Sequence, residues 1–510
     1  MSDYNNPLIY GKNITTNIVS IEPTEDGLVL FKEVNGNIEY EVINTKYWLL
    51  TNQQVSSKQH KLEGEQHYKY IAEFDTLKEK MQARQIVKSN NIDYWDIFNP
   101  IEASMVLNGL TYFKGLHPKD VSVLFWDIET TGLTHDDNSK VLLISNTFRK
   151  NGIIVKRLFA YDNYKNQKQL LDAWCSWVRE IDPSIICGHN ILGYDFQYMK
   201  HCAKMNKTYL KLGRDNSNIK FDPYTSKYRV DGNMDIEYYN LRVFGREIVD
   251  TMFLARKYDI GKKYVSYGLK AIINHEGLEK KDRMFYDAGE IRHNYENPIE
   301  WDKIKAYAID DADDAMSLFD LMIPSLFYFT QSVSKTFQQM VNSATGSQIN
   351  NIMVRSYIQD LHSVAKADES VPFEGALSLG IPGQYKNCVR WDAASLYPSI
   401  MRQHKLYNIK KDPRMYFIEI TNYFALERLK NKKLAKETNM QYYKDLEGSQ
   451  KVGANSLYGF LGAPGLNYNY PVGAAKITTE GRNLLKRMIY WASGKTIEDL
   501  RNEDSRIREK

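Results

Sequence analysis

Cysteine is scarce: four in 510 residues, and Cys175, Cys187, Cys202 and Cys388 form neither a CxxC pair nor a disulfide-like rhythm. The reading is small buried thiols in a reducing compartment. Long apolar runs are missing too. No stretch of about 18 apolar residues occurs, so no helix is expected to span a membrane. The start, Met1-Ser-Asp-Tyr-Asn-Asn, has no basic segment followed by an apolar one, so no signal peptide is expected, and the expected location is cytoplasmic. A strong excess of one charge is also lacking, since Lys plus Arg minus Asp plus Glu is 67 − 63 = +4. Such a balance permits a nucleic-acid partner without demanding one, because a local groove can be far more positive than the total. There is no internal repeat and no long low-complexity segment. What remains, 43% hydrophobic and 25% charged, is an ordinary globular chain of about three to five domains.

Alternation of apolar and polar residues over 8–50, between Gly and Asn turn signals, predicts a small antiparallel sheet. Helical spacing follows over 72–86. The apolar run Val121-Ser-Val-Leu-Phe-Trp predicts a buried strand ending on Asp127. Further strands are expected at 141–145, 153–160 and 184–188, with a helix over 168–180 between them. This is a mixed α/β pattern that runs to about residue 330. Residues 334–362 read as helical, and Cys388-Val-Arg-Trp reads as a strand ending on Asp392. Two helices over 423–455 and a third over 476–491 complete the pattern, before a charged tail at 501–510.

Three groups of acidic residues carry chemistry. Asp127-Ile-Glu129 lies on a strand, where residues two apart point to the same side, so both carboxylates can reach one cation. Alone, this pair is a strand end meeting solvent. Gly188-His-Asn190-Ile-Leu-Gly-Tyr194-Asp195 places an Asp near a helix start, where by itself it reads as a cap. Tyr307-Ala-Ile-Asp310-Asp311 puts Tyr307 and Asp311 on one helical face. Asp310, Asp313 and Asp314 are close by, and spacing does not choose between Asp310 and Asp311. Together the three suit phosphodiester hydrolysis by two metal ions, which needs several carboxylates and a group that orients the attacking water.

In this order the three resemble the exonuclease motifs of family B DNA polymerases, and Ser266-Tyr-Gly-Leu is similar to a segment the family carries between the second and third. The resemblance implies an RNase H-like exonuclease domain. Asp127, Glu129, Asp195 and Asp311 would hold Mg²⁺ (or Mn²⁺), and Tyr307 would position the water.

Asp392-Ala-Ala-Ser395-Leu396-Tyr397-Pro398-Ser399-Ile400 closely resembles the family's polymerase motif A. There a strand-end Asp grips metal and the turn's backbone N–H groups face a triphosphate. Tyr397 would lie under the incoming sugar, where a 2′-OH would clash. Lys451-x3-Asn455-Ser456-Leu-Tyr458-Gly459 resembles motif B, with Lys451, Asn455 and Tyr458 on one helical face. Arg428-x3-Lys432 repeats the spacing of the family's fingers helix, and Arg428, Lys432 and Lys451 read as a cluster for a highly charged anion. Phe373-Glu-Gly-Ala is similar to the loop between the family's two modules but has Phe where Tyr is usual. About 60 residues separate motifs A and B, room for a short helical hairpin and a pointer to a nucleic-acid primer.

The family's third polymerase motif is missing, since no Asp-x-Asp occurs after Asp392 and Asn502-Glu-Asp-Ser lacks a flanking apolar strand. The expected architecture is therefore multidomain, α/β and α+β. It comprises a β-rich N-terminal domain over 1–105, the exonuclease domain over 106–330 and a helical connector over 331–370. Palm segments over 371–408 and 466–510 then flank fingers over 409–465, and the palm is incomplete. The expected function is the front part of a proofreading DNA polymerase. Its partners would be primer-template and single-stranded DNA, dNTPs, a second polypeptide carrying the missing motif and thumb, and a sliding clamp. The alternatives are a stand-alone exonuclease with a vestigial polymerase half and a non-catalytic DNA-binding scaffold.

Overall fold

A computed structural model describes residues 4–25, 27–56, 59–231, 234–369, 371–380, 383–393, 395–504 and 507–509. The N-terminal alternation produces two sheets rather than one. Ile18–Thr24, Gly27–Val34 and Asn37–Ile43 form an antiparallel meander. Tyr47–Thr51 leaves it for a second sheet, where it pairs with Tyr70–Phe74 and Tyr94–Trp95. That strand is buried almost throughout, and its Trp48 donates Nε1–H to the Ala103 carbonyl at 2.8 Å, so it needs cover on both faces, which a half-solvated meander cannot give. The helix expected from residue 72 starts at Leu77, because Thr76 and Glu79 close a capping box there while Tyr70–Phe74 stays in the sheet.

The middle of the chain builds a five-stranded mixed sheet in the order Ile153–Ala160, Val141–Lys150, Val123–Thr130, Ile185–Gly188, Glu247–Asp250. The first three strands are antiparallel, and the last two run parallel to Val123–Thr130. Such a sheet suits the RNase H-like domain that the motifs imply. The central strand does not stop at Asp127. Its ladder with Val141–Lys150 continues past Asp127 and Glu129 to Thr130, so both carboxylates project from within a sheet that fixes their spacing. Leu124, Phe125 and Trp126 are wholly buried beneath them.

Pro298–Thr330, a helix of 33 residues and so about 50 Å long, crosses this sheet. One end carries Tyr307 and Asp311. At the other, Met322, Ser325 and Leu326 face the helix Gln441–Gly462. Phe337–Asn342 and Thr345–Gln359 follow, and the fully buried Arg355 donates to the carbonyls of Leu8 (2.9 Å), Ile9 (2.7 Å) and Ser332 (3.0 Å), tying the N-terminal segment to this connector. Tyr416–Thr438 and Gln441–Gly462 form an antiparallel helical hairpin that turns at Asn439-Met440, and Pro471–Ser493 packs beside it. One apolar core runs from the N-terminal meander to this hairpin.

The strand expected over Cys388–Trp391 is absent. Residues 388–393 are irregular and exposed, with Val389 79% and Trp391 50% accessible. A strand exists only against a ladder partner, and none pairs with this segment among the described residues. The charged tail contributes a short helix, Ile497–Glu503, and Arg508–Glu509 pairs with Leu379–Gly380.

Candidate active sites

Asp127, Glu129 and Asp311 each direct one carboxylate oxygen to a common point, all within 4.8 Å of one another. Asp195, the first residue of the helix Asp195–Met205, accepts the backbone N–H of Ile128, the residue between Asp127 and Glu129. Burial, followed by mutual repulsion, raises Asp127 well above the usual carboxylate range and Glu129 to about 8. Burial likewise raises Asp195 to about 7 and pushes Asp311 up. Like charges this close do not all ionise unless a cation joins them. The donor set, all oxygen and anionic when filled, is that of a hard divalent ion.

The helix Pro298–Thr330 separates its neighbouring acids. Asp311 alone enters the cluster. Asp310 accepts from the Met284 backbone N–H at 2.8 Å, and Asp313 is held by Thr147 Oγ1 at 2.7 Å and by Lys156 and Lys280. Asp314 accepts from Arg283 Nε at 2.8 Å, and the same guanidinium reaches Asp311 Oδ1 at 2.6 Å. Tyr307 hydrogen-bonds Asp311 and receives Lys270 Nζ on its hydroxyl. Lys270 Nζ also lies 3.9 Å from Asp311 Oδ2.

Arg283, Lys270 and Asp250 were not singled out from sequence. Asp250 accepts the N–H groups of Asn190 (2.8 Å), Leu192 (3.0 Å) and Met252 (2.9 Å), and so fixes the loop that delivers Asp195. Its signal was visible in part, because an Asp between a strand and an apolar helix is an N-cap. Arg283 lies in a charged turn, and nothing local marks its buried partners.

A second constellation surrounds Ser395, whose left-handed backbone (φ 52°) opens the helix Leu396–Gln403. Arg428 donates Nη1–H to Ser395 Oγ at 2.8 Å and Nε–H to Glu447 at 2.7 Å. Tyr397 and Tyr458 pack with ring centroids 4.7 Å apart, and Leu396 lies half-buried beside them. Lys451 and Asn455 share the helical face of Tyr458 but open further along it. There they line a groove of about 410 Å³ whose opposite wall is Leu254, Lys257 and Tyr258. The structure thus brings Ser395, Leu396, Tyr397, Arg428 and Tyr458 together and turns Lys451 and Asn455 toward the carboxylate domain. Asp392 and Lys432 are exposed.

Residues 112–272 match the model for "DNA polymerase family B, exonuclease domain". The DNA polymerase delta catalytic subunit of Dictyostelium discoideum is 26% identical over 411 residues, covering 68% of this chain and 36% of that protein. DNA polymerase 2 of Aeropyrum pernix is 22% identical over 412 residues, 73% of this chain and 48% of the relative. The chain spans about a third of the length of the delta subunits it matches. In fold it is similar to the family B DNA polymerase of the archaeon Pyrobaculum calidifontis (TM-score 0.71, 15% identity), with 93% of this chain and 71% of that one covered. Among the described residues no helix is long and apolar enough to cross a membrane. With its acidic cluster on the sheet, the region 112–272 matches the exonuclease domain of DNA polymerase family B, and the chain is similar in sequence to DNA polymerase catalytic subunits and in fold to a family B DNA polymerase.

Proposed function

We propose that this chain removes nucleotides from 3′ ends of DNA by two-metal hydrolysis and supplies the nucleotide-binding half of a polymerase. The convergence of Asp127, Glu129 and Asp311 within 4.8 Å carries the reading. Mg²⁺ held by these carboxylates with Asp195 would supply a hydroxide-like water and stabilise the leaving oxygen. Tyr307 would orient that water, with its hydroxyl fixed between Asp311 and Lys270.

For synthesis, Ser395 and Arg428 would face the triphosphate, with Lys432, Lys451 and Asn455 along the fingers. Tyr397, backed by Tyr458, would exclude a 2′-OH. Asp392 would ligate metal once 388–393 joins a sheet, and one carboxylate fixes the ions poorly. A further strand-bearing, carboxylate-bearing segment is therefore part of the reading, taken here as a second polypeptide. A sliding clamp would bind the assembled enzyme. Adjoining grooves support a single-stranded template path. They run from Lys451 past Lys257, Arg256 and Arg229 to Arg242 beside the N-terminal meander, sharing Lys257 and Thr345, then Asn342 and Ser343.

The test is Mg²⁺-dependent digestion of 3′-labelled single strands by this chain, with Asp127→Ala as control, beside primer extension with and without the completing segment. Digestion that survives Asp127→Ala would remove the nuclease assignment.

A further inference from the structure

The helix that presents Asp195 to the nuclease site ends in a dense lysine cluster. Lys200, Lys204 and Lys207 are exposed, and no ion pair holds them among the described residues. No acidic residue occurs from Phe196 to Arg214. The three line one cavity of about 440 Å³ together with Tyr209, 64% exposed, and Phe221, over whose ring Lys200 Nζ sits at 4.3 Å. Like charges one turn apart on a helix repel, and a merely solvated face would let its side chains diverge over a convex surface. Here they converge on a concavity with two aromatic rings. Phosphates need the first feature and bases the second.

We propose that this cavity binds the single-stranded DNA that leads to the nuclease site, engaging phosphates several nucleotides 5′ of the scissile bond. The inference rests on the nuclease reading and places a subsite outside the carboxylate cluster. Position supports it. From Asp195 to Lys207 is about 18 Å along the helix direction, beyond the reach of a trinucleotide seated at the carboxylates. Lys200 and Lys204 are about 6 Å apart along that axis, comparable with successive phosphates of an extended strand. Lys207 holds a left-handed backbone (φ 48°) just past the helix end, a conformation in which glycine would be easier.

The experiment compares two chains, both made inert by Asp127→Ala, with and without Lys200→Gln/Lys204→Gln/Lys207→Gly. Binding of fluorescent dT3 and dT15 is followed by anisotropy from low to moderate salt. Loss of three phosphate contacts reduces the salt slope for dT15 by about 2, so a fourfold salt increase weakens the variant about sixteen-fold less than its parent. Affinity for dT3 stays equal, and the lysine variant in the active background hydrolyses dT3 at the parental rate. Tyr209→Ala alone weakens dT15 without changing the slope. An unchanged dT15 slope overturns the subsite. Failure of the unmodified chain to digest dT15 with Mg²⁺ would instead remove the nuclease reading, so the two failures are separable.

Discussion

Asp310, Asp311 and Asp314 occupy barely more than one turn of the same helix, yet their surroundings give them three different tasks. Asp311 faces the cluster, Asp310 accepts the backbone N–H of Met284, and Asp314 neutralises Arg283 out of contact with solvent. Asp311→Asn should abolish digestion while Asp310→Asn retains most of it, read as single-turnover rates on a labelled strand; equal losses would contradict the geometry. Asp314→Ala has a different signature. Removing one partner of a buried pair costs about 3–5 kcal/mol, here softened because Arg283 keeps Asp311. A loss of about 3 kcal/mol in urea unfolding under EDTA is expected, and a change below about 0.5 kcal/mol would show that Arg283 finds water or another anion. Sequence periodicity could not separate Asp310 from Asp311, because the choice is made by a strand some 180 residues earlier whose side chains meet one flank of the helix.

At the level of elements, what could be read depended on whether an element carries its own reason to form. The helical hairpin over 416–462 was legible because amphipathic spacing and a polar turn are local. The mixed sheet was legible because fully buried strands are continuous apolar runs. Cys388–Trp391 has the composition of such a strand, but no ladder partner for it occurs among the described residues, and propensity cannot supply a ladder. Its amides should exchange with deuterium at nearly unprotected rates in this chain alone and, on the proposal that a further segment supplies the partner strand, become protected when that segment is added. Protection without that segment would mean that 388–391 finds a ladder partner within this chain. The hairpin allows a packing test. A Cβ at Gly453 would lie 2.7 Å from the ring of Phe424, which is buried. Gly453→Val should therefore cost about 2 kcal/mol, the strain of an overpacked core, and Phe424→Leu in the same chain should recover part of it, measured by chemical denaturation.

Across the whole molecule, the three cluster carboxylates and Asp195 beside them join folding, protons and metal in one equilibrium. Glu129 moves from 4.5 to about 8 on folding and Asp195 from 3.8 to about 7, chiefly through burial. Between its unfolded and folded values each group holds more proton in the native state than in the unfolded one. By linkage, stability without metal falls as pH rises through that window. His189, held neutral down to about 4 by burial, has the opposite slope but only below its ordinary value of 6.5, and from pH 6.5 to 8 the carboxylates are opposed chiefly by Lys114 and Lys257, which burial lowers to about 7 and about 8. Glu22 and Glu247, each raised to about 7, contribute the same sign from outside the cluster. A divalent ion binds the ionised form and expels the proton, so its stabilising effect should grow with pH. Melting temperatures in EDTA should fall between pH 6.5 and pH 8, while saturating Mn²⁺ holds the curve nearly level and widens the gap. Glu129→Gln separates the cluster from Glu22 and Glu247. It should flatten the EDTA slope and shrink the Mn²⁺ gap at pH 8, leaving the outside contribution in place. A gap that is the same at both pH values would mean that the carboxylates are already ionised without metal, and the charge balance provided by Lys270 and Arg283 would then be enough to hold the cluster together.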